Sequence, residues 1–285
     1  MHMNLSSLED TWPRPAVVIQ PTRGLFNLDL ASLWEFRELV YFFVWRDFKV
    51  RYKQTIIGAA WAVLQPVLTM VIFTLIFGYF AKLPSDGVPY PVFAFTALLP
   101  WTYFAQAITR SGTSLVGDSN LIKKVYFPRL IIPLAAVVSP LLDLFVSFLV
   151  LLAMMIWYGI SPTSGVVALP VFLVLALSTA LGVSLWLAPL NAKYRDVGHT
   201  IPFLIQLWMY ASPVVYSVKL VPEKWRLLYG LNPMAGVIEG FRWALLGTDR
   251  PSFHTIAISA FAILVLLASG IVFFKRMERS FADTI

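Results

Sequence analysis

The chain has 285 residues, 59% of them hydrophobic and only 13% charged, with a mean hydropathy of +0.75. These proportions exclude an ordinary soluble domain and specify an integral membrane protein. The net charge of +7 does not imply a nucleic-acid partner, because the basic residues gather beside apolar runs, where membrane orientation places them. Cysteine is absent, and His2, His199 and His254 never fall at ligand spacing, so neither disulfides nor a metal centre is expected.

Residues 1 to 30 are polar, contain Pro13, Pro15 and Pro21, and carry no sustained period. They read as an extended or partly disordered cytoplasmic tail, in which Asn4-Leu5-Ser6 is a chance glycosylation match. The first long apolar run begins near Ile56, too far along for a secretory signal. Between them, residues 31 to 53 place Leu33, Phe36, Val40, Phe43 and Val44 at helical spacing, interspersed with Glu35, Arg37, Glu38, Arg46, Asp47 and Lys49. That pattern predicts an amphipathic interfacial helix rich in headgroup-seeking aromatics.

Residues 54 to 285 read as a membrane domain whose charge-poor intervals locate the spans. No formal charge falls between Lys53 and Lys82, between Asp86 and Arg110, between Asp196 and Lys219, or between Arg250 and Lys275. The long apolar region from Arg129 to Lys193 is broken by a turn-rich stretch at 158 to 165. Six spans follow, at about 57–80, 90–109, 134–158, 166–190, 201–218 and 255–274, each judged against the roughly 20 apolar residues a helix needs to cross. The fifth is short and interrupted by Pro202 and Pro213. With the N-terminus inside, 16 of the 22 Lys and Arg fall on cytoplasmic segments, which puts both termini in the cytoplasm. The expected fold is therefore an all-α integral membrane protein with six transmembrane helices behind an N-terminal interfacial helix.

The segment between spans five and six contains two short helical patterns, Pro222 to Tyr229 and Pro233 to Leu246, each opening at a proline and closing at Gly230 or Gly247. Each is too short to span, so a re-entrant pair on the outer face is expected. Glu239 and Arg242 stand at i, i+3 and can satisfy each other there.

No catalytic signature emerges. GxxxxGK[ST], HExxH, GxSxG and CxxC are all absent, so no phosphate-binding loop is available to this chain. Asp143 is the one acid deep inside a span, flanked by Ser139 and Ser147 at four residues either side. A charge there costs about 2.5–3.5 kcal/mol on an insertion scale. A structural or interhelical role outweighs a proton relay, since no second titratable partner is visible. Gln65 with Thr69, Thr102 with Gln106 and Thr109, and Gln206 with Tyr210 form further polar stripes, with Trp61 and other rings close by. Such stripes suit helix packing or a hydrated pathway.

The cytoplasmic loop from Arg110 to Leu130 is a stronger functional signal. Gly117, Asp118, Ser119 and Asn120 offer an N-cap for a short helix that continues through Leu121 and Ile122 to Lys123 and Lys124. A short helix fixed between two spans can pass on the motion of a soluble partner, although a plain connector would be formed equally well.

Five stretches in order, RYKQTIIGAAWAVLQP at 51 to 66, LLPWTYFAQAI at 98 to 108, NLIKKVYFPRLIIPLA at 120 to 135, NAKYRDV at 191 to 197 and NPMAGVIEGFRWALLG at 232 to 247, carry a resemblance. From about residue 35 to its end the chain resembles the permease subunit of bacterial polysaccharide ABC exporters, which move lipid-linked O-antigen, capsule or teichoic-acid chains. The resemblance implies a type-2 permease of the inner membrane that forms a homodimer and pairs with two copies of a separate ATPase. ATP and Mg would be bound by that ATPase, with no cofactor on this chain. It also implies ATPase-coupling elements at Gly117 to Lys124 and at Tyr194, Arg195 and Asp196, and an external gate carrying Trp225, Asn232, Glu239 and Arg242. Arg46, Lys49, Arg51 and Lys53 lie where an anionic lipid headgroup would enter, and Trp61, Gln65, Thr69, Thr102, Gln106 and Tyr210 are candidate channel contacts. A same-fold permease for a drug or small lipid, a proton-coupled carrier using Asp143, and an enzyme acting on lipid-linked sugar are the alternatives.

Overall fold

The computed structural model of the chain describes residues 30–53, 58–278 and 281. The predicted tail at 1–29, the start of the first span at 54–57 and the last residues other than Phe281 lie outside the described residues. Every regular element among the described residues is helical. Five helical stretches are long and apolar enough to cross a membrane: Val63–Phe80, Tyr90–Gly117, Ile131–Trp157, Ser164–Lys193 and Phe253–Glu278.

The interfacial segment forms two helices, α1 (Leu30–Glu35) and α2 (Arg37–Tyr52), separated at Phe36. The first span is α3 (Gly58–Phe73), which contains Pro66 and continues as a π-helical stretch, Thr74–Phe80. A tight loop follows, with positive φ at Lys82, Asp86 and Gly87, and leads to Pro89 and Pro91 at the start of α4 (Tyr90–Gly117). α4 runs about two turns past 109, where the second span was expected to end. Its one charge, Arg110, is paired inside the protein and does not stop the helix. α5 (Ser119–Lys124) is the short helix expected in the loop.

The third span is divided at Ser139 and Pro140 into α6 (Ile131–Val138) and α7 (Leu141–Trp157). A 3-10 turn at Ser164–Ala168 feeds α8 (Leu169–Lys193). Where a fifth span was expected at 201–218, α9 (Asp196–Tyr210) has 15 residues, about 22 Å of helix, and gives way to irregular backbone at 211–217. α10 (Glu223–Tyr229), α11 (Pro233–Leu246) and α12 (Phe253–Glu278) complete the chain. α11 has the start and stop its sequence announces. The Asn232 side chain accepts from the Met234 N–H, Pro233 opens the helix, and Gly247 closes it in the left-handed conformation at φ 69°.

α4 lies at the centre, with 78% of its apolar window buried against 11% for the first span and 17% for α12. Lipid is as apolar as leucine, so the helices are held by close packing and polar contacts rather than by escape from water. α8 and α12 approach so closely that a Cβ on Gly270 would lie 2.7 Å from the Gly182 carbonyl oxygen. The larger core gathers Phe93, Phe95, Phe104 and Trp101 of α4 with Met234, Ile238 and Phe241 of α11. A second core at the other end of α4 joins Phe43 of α2 to Leu115, Phe127, Ile131, Leu185, Phe274 and Phe281. α2 thus packs on α6 and shares a core with the ends of α4, α8 and α12, while α11 fills the opposite end.

Candidate functional site

Two polar constructions occupy the two ends of this bundle. At the α2 end, Arg46 forks onto Asp118, with Nη1 to Oδ1 at 2.7 Å and Nη2 to Oδ2 at 3.0 Å, and its Nη2 also reaches Asp47 at 2.9 Å. Asp118 holds the Arg46 guanidinium above its ordinary pKa through that hydrogen bond, against the opposing effect of burial. Farther along α2, Arg51 and the Tyr52 hydroxyl both donate to Asp143 of α7. Arg110 stands 3.9 Å from the same carboxylate and donates to the Ser139 hydroxyl at 3.2 Å.

Asp143 is therefore not an isolated acid. Its side chain is only 6% exposed, and two guanidiniums and a phenol surround it. Removing one partner from such a buried pair leaves an uncompensated charge, which is strongly destabilising. Three arginines and three aspartates, Arg46, Arg51, Arg110, Asp47, Asp118 and Asp143, line one cavity or contact its walls, so the cluster carries no net formal charge. Its volume is about 490 Å³. Lys49 on α2 and Lys53 just past its end are exposed, with Lys49 over the Trp45 ring at 5.5 Å.

At the α11 end, Arg242 is 3% exposed and donates to three backbone carbonyls: Val214 at 2.8 Å, Tyr216 at 3.2 Å and Phe93 at 3.4 Å. Its guanidinium carbon lies 3.5 Å from the Phe93 ring centroid. The expected pairing with Glu239 is not its arrangement. Planar, five-donor guanidinium fits a cage of carbonyls that irregular backbone at 211–217 cannot satisfy for itself. Burial lowers the Arg242 pKa to about 9, which leaves it charged at neutral pH. Burial pushes the Glu239 carboxyl up to about 7, against the pull of Arg242.

A mixed-charge cavity of about 410 Å³ opens beside these groups, with Asp86, Lys219, Arg226, Glu239 and Asp249 among its walls. Lys219 bridges Asp249 at 2.8 Å and Asp86 at 3.0 Å, and both carboxylates raise its pKa. It thereby ties together the loops before α4, after α9 and before α12. Asn232 is a second tie. It accepts from Trp208 Nε1 at 2.9 Å and donates to the Ala211 carbonyl and the Ser212 hydroxyl. Trp225 is half exposed, with Lys224 over its ring.

The loop candidates occupy the α2 end. Asp118 sits between Gly117 of α4 and Ser119 of α5, at the N-cap position, yet its side chain makes no cap bond and serves Arg46 instead. Asn120, Leu121, Ile122, Lys123 and Lys124 follow on α5, the last four with intermediate or exposed side chains. Tyr194 is exposed between α8 and α9, beneath Lys193, and Arg195 and Asp196 open α9.

The channel candidates are spread over three helices. Trp61 and Gln65 are exposed on α3, Thr69 donates to the Gln65 carbonyl, and Tyr210 is exposed at the end of α9. Thr102 and Gln106 are half-buried on α4, and the Gln106 Oε1 is buried without a hydrogen-bond partner.

Sequence reasoning placed Asn191 at the start of the loop between α8 and α9 but missed the tie made by its side chain, which is 4% exposed. Its amide donates to the Gly112 carbonyl at 2.9 Å and accepts from the Gly198 N–H at 2.7 Å, tying the α8–α9 turn to α4. An asparagine closing an apolar span was the available signal. It also missed Tyr52, Arg110, Asp86 and Lys219, whose partners are distant in sequence.

Residues 38–246 match the family described as ABC-2 type transporter. The chain is similar to the O-antigen export system permease protein RfbA of Myxococcus xanthus, at 29% identity over 89% of this chain and 98% of the relative. It is similar to the protein of the same name from Klebsiella pneumoniae at 30% identity, covering 84% of this chain and 92% of that one. The polysialic acid transport protein KpsM of Escherichia coli is 22% identical, with 82% and 92% covered. The family match spans both the α2 end and the α11 end, and on it the chain belongs to the ABC-2 type transporters, as a membrane permease.

Proposed function

We propose that this chain is the membrane-embedded subunit of an ATP-driven exporter of lipid-linked polysaccharide, of the O-antigen, capsule or teichoic-acid type. The observation that carries the reading is the near end-to-end match to permeases named for O-antigen export, 98% and 92% of whose lengths are covered. The absence of a GxxxxGK[ST] loop fits a division of labour in which a separate ABC ATPase binds ATP and Mg.

In this reading the protein is a homodimer in the bacterial inner membrane, served by two ATPase copies and embedded with both termini in the cytoplasm. α9 with the irregular backbone after it completes a sixth crossing. α10 and α11 form the re-entrant pair on the outer face, with Trp225, Asn232, Glu239 and Arg242 at the gate. The α2 end then faces the ATPase through α5 and the Tyr194 to Asp196 turn. Lys49 and Lys53 remain exposed to anionic headgroups, and the stripes on α3, α4 and α9 are offered to the moving glycan.

A proton-coupled carrier loses its best residue, because Asp143 is held by Arg51 and Arg110. The test is export in membrane vesicles containing the permease, its ATPase and lipid-linked polysaccharide. ATP-dependent appearance of glycan on the far side is expected, with ATP hydrolysis stimulated by the glycolipid. Hydrolysis indifferent to the glycolipid, together with undiminished surface polysaccharide after gene deletion, would reject the reading.

A further inference from the structure

We propose that the Arg46–Asp118 fork is a mechanical joint through which α5 moves α2, so that the ATPase stroke reaches the interfacial helix as well as the spans. The inference rests on the exporter reading above and adds a second route for its force.

Asp118 belongs to two bodies at once. Its carbonyl accepts the Leu121 and Ile122 N–H groups at 3.0 and 3.1 Å, so its backbone is the first turn of α5. Its carboxylate is held by α2. An aspartate at this position would ordinarily cap its own helix, a contribution of about 1 kcal/mol in general, and here that bond is not made. The side chain is committed across the gap instead.

α2 also grips the chain on the far side of α5. Phe43, 2% exposed, packs with its ring centroid 6.0 Å from that of Phe127, and Arg46 lies over the Phe43 ring at 4.8 Å. The residues just before and just after α5 are therefore both fastened to one turn of α2. About 8 Å farther along α2, at roughly 1.5 Å per residue, Arg51 and Tyr52 are fastened to Asp143 of α7. A helix held at two separated points pivots about one when the other is displaced.

The same geometry argues against Arg46 as a free headgroup ligand. Its fork is filled by Asp118, its Nε and Nη2 by Asp47, and the surrounding cluster is neutral. Arg46 is on this account a positioning residue.

The test measures glycan exported per ATP hydrolysed by the permease–ATPase complex in lipid vesicles. Failure of the wild-type complex to export would reject the exporter reading and leave no stroke to transmit. Given wild-type export, Arg46→Asp and Asp118→Arg should each lower the ratio about tenfold, the scale of a broken charge-assisted pair, and the double reversal should recover at least about a third of it. Singles that match wild type, or a double reversal no better than the singles, would overturn the joint. So would loss on Arg46→Asp with none on Asp118→Arg, which is the pattern of a headgroup contact.

A second measurement does not depend on tolerance of reversed charge. The chain has no cysteine, so Arg46→Cys with Asp118→Cys can be bridged by a short bismaleimide without competing thiols on this chain. A joint that moves as one body keeps exporting when bridged, whereas export abolished by the bridge would show that α2 and α5 must part.

Discussion

Arg242→Met tests the carbonyl cage most directly. The substitution keeps most of the side chain's length and removes every donor. The Phe93 carbonyl lies inside α4, so it retains its helical role, but the Val214 and Tyr216 carbonyls sit in irregular backbone and have no other hydrogen bond among the described residues. A buried acceptor left unpaired costs about 1–3 kcal/mol, so two orphaned carbonyls cost about 4 kcal/mol at mid-range. For a chain of this size that corresponds to a fall of about 10 °C in melting temperature. Arg242→Lys, which keeps the charge but cannot point an ammonium along three divergent directions, should lose about half as much. Thermal melting in detergent, followed by size-exclusion fluorescence, reads the shift. Amide exchange should rise at 211–217 before it rises in α4. A shift smaller than about 2 °C for Arg242→Met, with exchange unchanged at 211–217, would refute the cage as a stabilising element.

Glu239 should give the same end of the bundle a pH dependence. Its folded pKa of about 7 lies above the ordinary value of 4.5, so the folded state binds the proton more tightly. Stability is then full below about 4.5 and falls as pH rises toward about 7, by about 3 kcal/mol, with little further change above. Glu239→Gln should flatten that profile in detergent melts, and an unaltered slope would remove Glu239 as its source. Gly270→Ala should drive a Cβ to within 2.7 Å of the Gly182 carbonyl and cost about 1–3 kcal/mol as α8 and α12 part. Gly117→Ala, with nothing within 4 Å of the added carbon, is the packing control and should melt within about 0.5 kcal/mol of wild type.

The sequence located the long helices because hydrocarbon length and charge exclusion act locally, and both can be read residue by residue. It did not show that α4 runs on to Gly117, for the same reason. Arg110 looks like a boundary until Asp143 and Ser139, which lie on another helix, neutralise it. α11 was legible to the residue because Asn232, Pro233 and Gly247 carry their signals within one short segment. The short α9 was not, since the irregular backbone that replaces its last turns is supported by an arginine about thirty positions downstream. Asp143 was recognised as exceptional, but its partners lie 92 and 91 residues away for Arg51 and Tyr52, and no local pattern joins them. Asp118 shows the opposite error. Local rules assigned it to capping α5, and a long-range partner took the carboxylate instead.

The π-helical stretch at Thr74–Phe80 has a consequence for anyone mapping the first span by cysteine scanning. Hydrogen bonds there run to the fifth residue rather than the fourth, as the Ala81 N–H to Ile76 carbonyl bond at 2.8 Å shows, so each turn takes up about one residue more. Accessibility measured from Trp61 to Phe73 repeats with the α-helical period and assigns one face. Carried past Thr74 with the same period, that assignment drifts out of phase and places Tyr79 and Phe80 on the wrong side of the helix. The span has two registers, and labels on either side of Thr74 need to be phased separately before a wall of the pathway is drawn through them.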